Sequence, residues 1–237
     1  MTKTTSNHPC DLCSSRKLSM FSDLTVEQAC NIADNKNMIS HRKGQIIYYE
    51  EAKPLGVFCI NEGVVKVFKT ASNGKDQIIH LAKKGDLLGY SALLGEENYT
   101  NSAMVIEDAK ICFIPKETFL KALVNNGQFF KRLTKALSQN IGVMEEKLVD
   151  ASQKSIRERL AYLLLQLANS YGLDGGEPQQ INLVLSREEV ASLIGTATES
   201  VIRLLSEFKK DGLIELKGKK IYILDRKGLV KLSDFYA

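Results

Sequence analysis

No run in the sequence approaches the roughly 20 apolar residues that a membrane-spanning helix needs. The opening stretch, Met1 to His8, is polar and lacks the apolar centre of a secretion signal. A cytoplasmic protein with no membrane partner is expected. Histidine is scarce: His8, His41 and His80 are the whole supply, and none sits in a His-x-His or His-x-x-Glu pattern. A metal-dependent oxygenase on a jelly-roll barrel would need such clustered imidazole and carboxylate ligands. No nucleophile elbow, phosphate-cradling glycine loop or dinucleotide-binding glycine fingerprint is present. No enzymatic activity is expected. The five cysteines are an odd number. They fit thiols or metal ligands in a reducing compartment better than a secreted disulfide framework. No internal repeat or low-complexity tract is apparent.

The bulk properties are those of a soluble globular protein. The 237 residues are 44% hydrophobic and 25% charged, enough for one large or two small domains. A formal charge of +4, with a pI near 8.7, permits a nucleic-acid partner without requiring one.

Residues up to about Lys17 form a polar arm that holds Cys10 and Cys13. From His41 to Ile114 the texture is β, with strand-like runs at Gln45–Tyr49, Gly56–Ile60, Val64–Lys69, Gln77–Leu81, Ala103–Ile106 and Lys110–Ile114. Gly44, Gly63, Asn73-Gly74, Gly85 and Gly95 punctuate them, and Asn73-Gly74 is a hairpin signal. Many short strands with glycine turns predict a closed roll or sandwich. Pro115–Phe119 starts a helical region. A long helix is predicted from about Gln128 to Ala151, where Phe130, Leu133, Leu137, Asn140, Met144, Leu148 and Ala151 step by three and four. This seam suits pairing with the same helix of a second chain, with Asn140 fixing the register. It equally suits an amphipathic helix packed on its own domain. Ser155–Tyr171 reads as another helix, with Ile156, Leu160, Leu163, Leu164 and Leu167 inside, and Asp174–Pro178 as a loop.

The most informative segment is Leu185–Phe208. It reads as two short helices joined by a tight turn at Gly195. Ser186 is the N-cap of the first, and Glu189 completes a capping box. Val190, Leu193 and Ile194 give the first helix an apolar face, and Val201, Leu204, Leu205 and Phe208 give the second another. Thr198, Glu199, Ser200, Ile202 and Arg203 lie between them, and an exposed Glu and Arg at such a helix start suit major-groove reading. Glu199 and Arg203 are also spaced for a helical i,i+4 salt bridge, which would pre-orient the pair in the free protein. A hairpin follows over Gly212–Leu224, turning at Lys217-Gly-Lys-Lys, so the segment is a winged helix. Lys217, Lys219 and Lys220 are suited to phosphates, or else form a solvated hairpin tip.

Taken together, these residues resemble the CRP/FNR family of bacterial transcription regulators over nearly the whole chain, most specifically at Thr198-Glu-Ser-Val-Ile-Arg203-Leu-Leu. The resemblance implies an α+β fold: a cyclic-nucleotide-binding-type β-roll (jelly roll), a long dimerisation helix and a C-terminal winged helix-turn-helix. The expected division is an arm at 1–20, a β-roll sensor at 21–126, a dimerisation helix at 127–152 and a DNA-binding domain at 153–237. It implies a homodimer on a palindromic site in double-stranded DNA, with RNA polymerase as a further partner. Glu199 and Arg203 would read the G·C pairs of a GA-containing half-site. Ser186, Thr196, Thr198, Ser200, Ile202, Lys219 and Lys220 would complete the DNA-facing set. The nitrate/fumarate branch of the family has Ser where this chain has Ile202.

The segment Gly85–Leu94 occupies the place of the family's phosphate-binding cassette. Cyclic-AMP-binding members need a Glu there for the ribose and an Arg-Ser pair for the phosphate. Here the matching residues are Tyr90 and Asn101-Ser102, so cyclic AMP is not expected. Gly89, Tyr90, Ser91, Asn101 and Ser102 remain candidates for a different small effector. The oxygen-sensing branch binds a [4Fe–4S] cluster through three N-terminal cysteines and one in the roll. Cys10, Cys13 and Cys112 match three of these positions, and Ser19 stands at the fourth. Ser19, Asp11, Asp23 or Cys30 would have to substitute, since four thiolates are the norm. A vestigial pair, a zinc ligand set or a reversible disulfide are the other readings of Cys10 and Cys13. Cys112 in its apolar strand also reads as core, as does Cys59. The functional alternatives are a ligand-binding jelly-roll protein or a metal-dependent enzyme without DNA activity.

Overall fold

The computed structural model describes residue 13 and residues 15–172 and 179–233. The predicted loop Asp174–Pro178 and Cys10 therefore lie outside the described residues. The chain divides into two compact units, one up to Ile141 and one from Gly142 onward. Among the described residues no helix is long and apolar enough to cross a membrane.

In the first unit, short 3-10 turns at Arg16–Leu18 and Met20–Asp23 lead into helix α1 (Val26–Asn35). Strands β1 (Asn37–His41), β2 (Ile46–Tyr48), β3 (Gly56–Thr70), β4 (Asp76–Ala82), β5 (Leu87–Leu88) and β6 (Ser102–Pro115) follow, with helix α2 (Tyr90–Gly95) between the last two. The unit continues through α3 (Lys116–Val124) into α4 (Gly127–Gln153). All strand pairs are antiparallel, in the order β1-β6-β3-β4, with β2 also on β6 and β5 also on β3.

Two long strands replace four of the predicted short ones. Gly56–Ile60 and Val64–Lys69 are one strand, β3, and Ala103–Ile106 and Lys110–Ile114 are one strand, β6. Gly63 is not a turn. It sits where the β3–β6 register slips, at φ +87°, and a Cβ there would lie 2.4 Å from the Asp108 carbonyl oxygen. A bulge of this kind bends a ladder without ending it. Asn73-Gly74 does turn the β3–β4 hairpin, with the Ala71 amide donating to the Lys75 carbonyl at 2.9 Å.

Side-chain alternation divides the interior in two. Tyr48, Ile60, Val65, Val67, Leu88, Tyr99, Val105 and Ile111 form a cluster of strand and loop residues. Val57, Cys59, Leu87, Cys112 and Ile114 face the other way, against Ile32 of α1, Leu93 of α2, Phe119 and Leu123 of α3, and Phe129 and Leu133 of α4. Part of the predicted α4 stripe, Leu133 and Leu137, packs on the roll. Leu133 is fully buried on the roll, and so is Phe129, which was not in the seam. Asn140 is exposed on α4, and its side-chain amide donates to the Tyr90 hydroxyl at 2.7 Å. Phe130, Met144 and Leu148 of the predicted stripe are 54%, 55% and 74% exposed, and Ile141 joins them at 59%.

The second unit contains α5 (Ile156–Tyr171), β7 (Gln179–Ile181), α6 (Arg187–Ile194), α7 (Thr198–Lys210), β8 (Ile214–Lys217), β9 (Lys220–Ile223) and α8 (Arg226–Leu232), with the strands ordered β7-β9-β8. Its interior joins Leu160 and Leu164 of α5, Val190 of α6, Val201, Leu205 and Phe208 of α7, and Ile214 and Ile221 of the hairpin. This is a winged helix-turn-helix, and with the β-roll and long helix the architecture is the predicted α+β fold.

Candidate nucleic-acid interface

The helix pair is built by local chemistry. The Ser186 hydroxyl accepts from the Glu189 amide at 3.0 Å, and the Glu189 carboxylate accepts from the Ser186 amide. This is the predicted capping box. Gly195 ends α6 in the left-handed conformation, at φ 69° and ψ 54°, which is costly for residues with a Cβ. The Arg159 guanidinium of α5 donates to the Ile194 carbonyl, satisfying a helix-end acceptor beside that turn. Ala197 then caps α7 through its backbone alone, with the Val201 amide donating to its carbonyl at 3.3 Å.

Alpha7 presents two distinct faces. Val201, Leu204, Leu205 and Phe208 are buried, whereas Glu199, Ile202 and Arg203 are exposed and Thr198 and Ser200 are half-buried. Thr196 is half-buried in the turn. Alpha7 therefore brings Thr198, Glu199, Ser200, Ile202 and Arg203 together over its first two turns. The expected Glu199–Arg203 ion pair is absent. Arg203 Nη1 instead lies 2.7 Å from Glu207 Oε1. Glu207 is held in turn by Arg157 Nη1 of α5 at 2.9 Å, and Arg157 Nη2 reaches Asp211 at 2.7 Å. The Arg157 guanidinium also lies 4.9 Å above the Phe208 ring. Glu207 is thus fixed where Arg203 can use it, while Glu199 stays in the first turn, where a negative charge is favoured by the helix dipole.

The wing is a two-residue hairpin: Lys217 pairs with Lys220, and Gly218 takes φ +61°. Its lysines are not equivalent. Lys217 is drawn along the hairpin to Glu215, at 3.3 Å, and over the Tyr222 ring. Lys219 and Lys220 are exposed at and beside the tip. Sequence reasoning missed Arg187, the first residue of α6, whose Nη2 donates to the Gly218 carbonyl at 3.4 Å. This contact ties the wing tip to the start of the helix pair. Burial lowers the Arg187 pKa from its usual value. A cation directly after a predicted cap was its only sequence signal.

The candidate effector residues are not gathered around one point. Gly89 abuts the Tyr99 ring, which stacks on Tyr48 with centroids 4.0 Å apart. The Tyr48 hydroxyl donates to Asn101 Oδ1 at 3.1 Å, and the Glu50 amide donates to Ser102 Oγ at 2.9 Å. Tyr90 belongs to the opposite, helix-facing cluster, and Ser91 is exposed. Tyr48 and Tyr99, which sequence reasoning did not single out, occupy the space between Gly89 and Asn101.

Of the cluster ligands implied by resemblance, Cys13 and Cys112 line one cavity of about 30 Å³ beneath the arm. Ser19 lines it as well, but its hydroxyl is already committed, donating to the Arg16 carbonyl at 2.9 Å and accepting from the Phe21 amide at 3.2 Å. Asp23 is gripped by Arg132 of α4 through both carboxylate oxygens. Cys30 is exposed on α1, away from the cavity. The Ser19 position therefore does not fit a cluster ligand.

Comparison with known proteins agrees with this geometry. Residues 38–126 match the model of the cyclic nucleotide-binding domain, and residues 158–232 match that of the Crp-like helix-turn-helix domain. The chain is 30% identical over 226 residues to the transcriptional activator protein anr of Pseudomonas aeruginosa, covering 94% of this chain and 92% of that one. It is 26% identical over 208 residues to the fumarate and nitrate reduction regulatory protein of Escherichia coli K12, covering 88% and 82%. Among solved structures, FixK2 of Bradyrhizobium japonicum matches with a TM-score of 0.75 and 23% identity, over 85% of this chain and 99% of that one. TTHA1359, a CRP/FNR-family regulator of Thermus thermophilus, matches at 0.71 and 22%, over 85% and 100%. A sensory β-roll, a long helix and a DNA-binding winged helix in this order, with relatives of that identity and coverage, make the chain a member of the CRP/FNR family of transcription regulators and not an enzyme.

Proposed function

We propose that the chain acts as a homodimer on a palindromic DNA site in the cytoplasm, each α7 entering one major groove. The observation that carries this reading is the exposed Glu199, Ile202 and Arg203 edge of α7, opposite a fully buried face. Arg203 offers a fork to guanine O6 and N7, Glu199 accepts from cytosine N4, and Ile202 offers an apolar contact to a thymine methyl. To bind, Arg203 exchanges Glu207 for the base edge. Ser186, Thr196, Thr198 and Ser200 contribute hydroxyls to flanking phosphates, and Lys219 and Lys220 add charge from the wing. Such contacts position without specifying. Functional boundaries at 1–20, 21–126, 127–152 and 153–237 assign arm, sensor, dimer helix and DNA reader.

Dimerisation is supported by the apolar stripe of α4, where Ile141, Met144 and Leu148 are 59%, 55% and 74% exposed. Three large apolar side chains on one helical stripe suit pairing with a second copy. A dimer would set two recognition helices about 34 Å apart, one turn of DNA. The Tyr90–Asn140 hydrogen bond supports a route from the sensory roll, with its candidate effector residues Gly89, Tyr90, Ser91, Asn101 and Ser102, to α4. Relatives named as activators support activation, with RNA polymerase as the further partner. The test is binding to palindromes built from GA-containing half-sites at fixed salt. A full palindrome should bind far more tightly than a single half-site. Equal affinity for both would defeat the dimer reading.

A further inference from the structure

Arg203 and Glu207 of α7, and Asp211 at its C-cap, step by four residues. Glu207 and Asp211 stand at the C-terminal end of the helix, where its dipole disfavours negative charge. The compensating cation comes from another helix. Arg157 lies in the first turn of α5, whose start is fixed by the Ser155–Glu158 capping box. Its guanidinium lies over the buried Phe208 ring and reaches Asp211 through Nη2, two contacts that do not involve Glu207. Its Nη1 donates to Glu207 Oε2 at 2.9 Å. Arg203 is left with the other oxygen, Oε1, at 2.7 Å. An arginine and a carboxylate that meet alone can pair through two parallel bonds. Arg157 prevents this by occupying the second oxygen. The acid also follows the base along the helix, the weaker order for an i,i+4 pair. Of the two arginines, Arg203 is the one free to move: its side chain is 66% exposed, against 34% for Arg157.

We propose that Arg157 is a positioning residue for base reading: by holding one oxygen of Glu207, it keeps the Arg203–Glu207 pair to a single bond that a guanine edge can replace. The proposal rests on the reading of α7 as the recognition helix, and it assigns part of the specificity of that helix to a residue of α5 that contacts no base. Without Arg157, Glu207 closes on Arg203 through both oxygens. The base edge then competes with a two-bonded partner, and the cost falls only where Arg203 reads. A cation that merely attracted the duplex would act on every sequence alike. Asp211 does not share this role. It lies eight residues beyond Arg203, about 12 Å along the helix, and out of its reach. Arg157 therefore affects Arg203 through Glu207 alone.

The experiment is fluorescence anisotropy of the full chain on a GA-containing palindrome and on versions with each base pair changed in turn, at one salt concentration. Arg157→Ala should bind the best site roughly two- to fivefold more weakly, the range of one exposed ion pair. The loss should be confined to sites that keep the base pair read by Arg203, so discrimination at that pair falls. Adding Glu207→Gln to Arg157→Ala should restore both affinity and discrimination, which also excludes misfolding as the cause of the loss. Adding Asp211→Asn instead, which removes an equal negative charge, should restore neither. A loss that is uniform across sequences, or one that Glu207→Gln does not reverse, overturns the proposal. So does an Arg157→Ala protein that matches wild type while Arg203→Ala loses discrimination, a result that leaves the reading of α7 intact. An Arg203→Ala protein with full discrimination would remove that reading and this proposal with it.

Discussion

The Asn140 side-chain amide donates to the Tyr90 hydroxyl at 2.7 Å, linking the first residue of α2 in the β-roll to the long helix α4. Tyr90 is 7% exposed. Its pKa is raised above the usual tyrosine value, chiefly by burial, with the Asn140 bond opposing and the Asp86 charge adding to the shift. Removing either partner leaves a polar group short of its mate. We expect Tyr90→Phe and Asn140→Ala each to cost about 1 kcal/mol, with the double variant costing less than their sum. Denaturant unfolding of the three proteins measures this.

The Arg203–Glu207 pair gives a prediction with opposite signs for stability and binding. Glu207 also receives Arg157, so Glu207→Gln weakens two ion pairs. Exposed pairs of this type contribute about 0.2–1 kcal/mol each, so the stability loss should be small. The same substitution removes the carboxylate that competes for Arg203. DNA affinity should stay level or rise, read by fluorescence anisotropy at fixed salt.

The exposed stripe of α4 should respond to charge. Met144→Glu or Leu148→Glu places a carboxylate at the proposed interface but removes nothing from the roll interior. Sedimentation should show a shift from dimer to monomer with unchanged circular dichroism. Affinity for a full palindrome should fall toward that of a half-site. Phe129→Ala, by contrast, empties a fully buried position and should cost about 3–5 kcal/mol of stability.

Alkaline pH should loosen the roll interior. Burial pushes the Tyr99 pKa up to about 12 from 10.0, and raises Tyr48 further still, with the Tyr99 charge adding to the effect. Both phenols are held neutral in the folded state. The Tyr99 contribution is fully present below the unfolded pKa of 10.0 and is lost as pH climbs through the folded value of about 12. Stability should therefore decline over that window, and Tyr99→Phe should flatten the decline. Unfolding free energy against pH, followed with tyrosinate absorbance, checks the sign.

The helix-turn-helix was legible because its cues are local. Ser186, Glu189 and Gly195 act through bonds to neighbours within a few residues. The same signature stands at Thr25 and Gln28, where it caps α1, a helix that periodicity alone did not suggest. The β-roll was legible in kind but not in detail. Gly63 breaks the sequence pattern as a turn would, and only its pairing partner around Asp108 makes it a bulge. The Glu199–Arg203 pairing failed because Arg157, remote in sequence, fixes Glu207 within reach of Arg203.

The most direct measurement is the affinity of wild type and Arg203→Ala for a GA-containing palindrome and for versions with single base changes, all at one salt concentration. We expect Arg203→Ala to lose about 1–3 kcal/mol on the best site, roughly tenfold or more, and to lose discrimination at the base pair that Arg203 reads. An Arg203→Ala protein that binds the best site as tightly and as selectively as wild type would contradict the reading of α7 as the recognition helix.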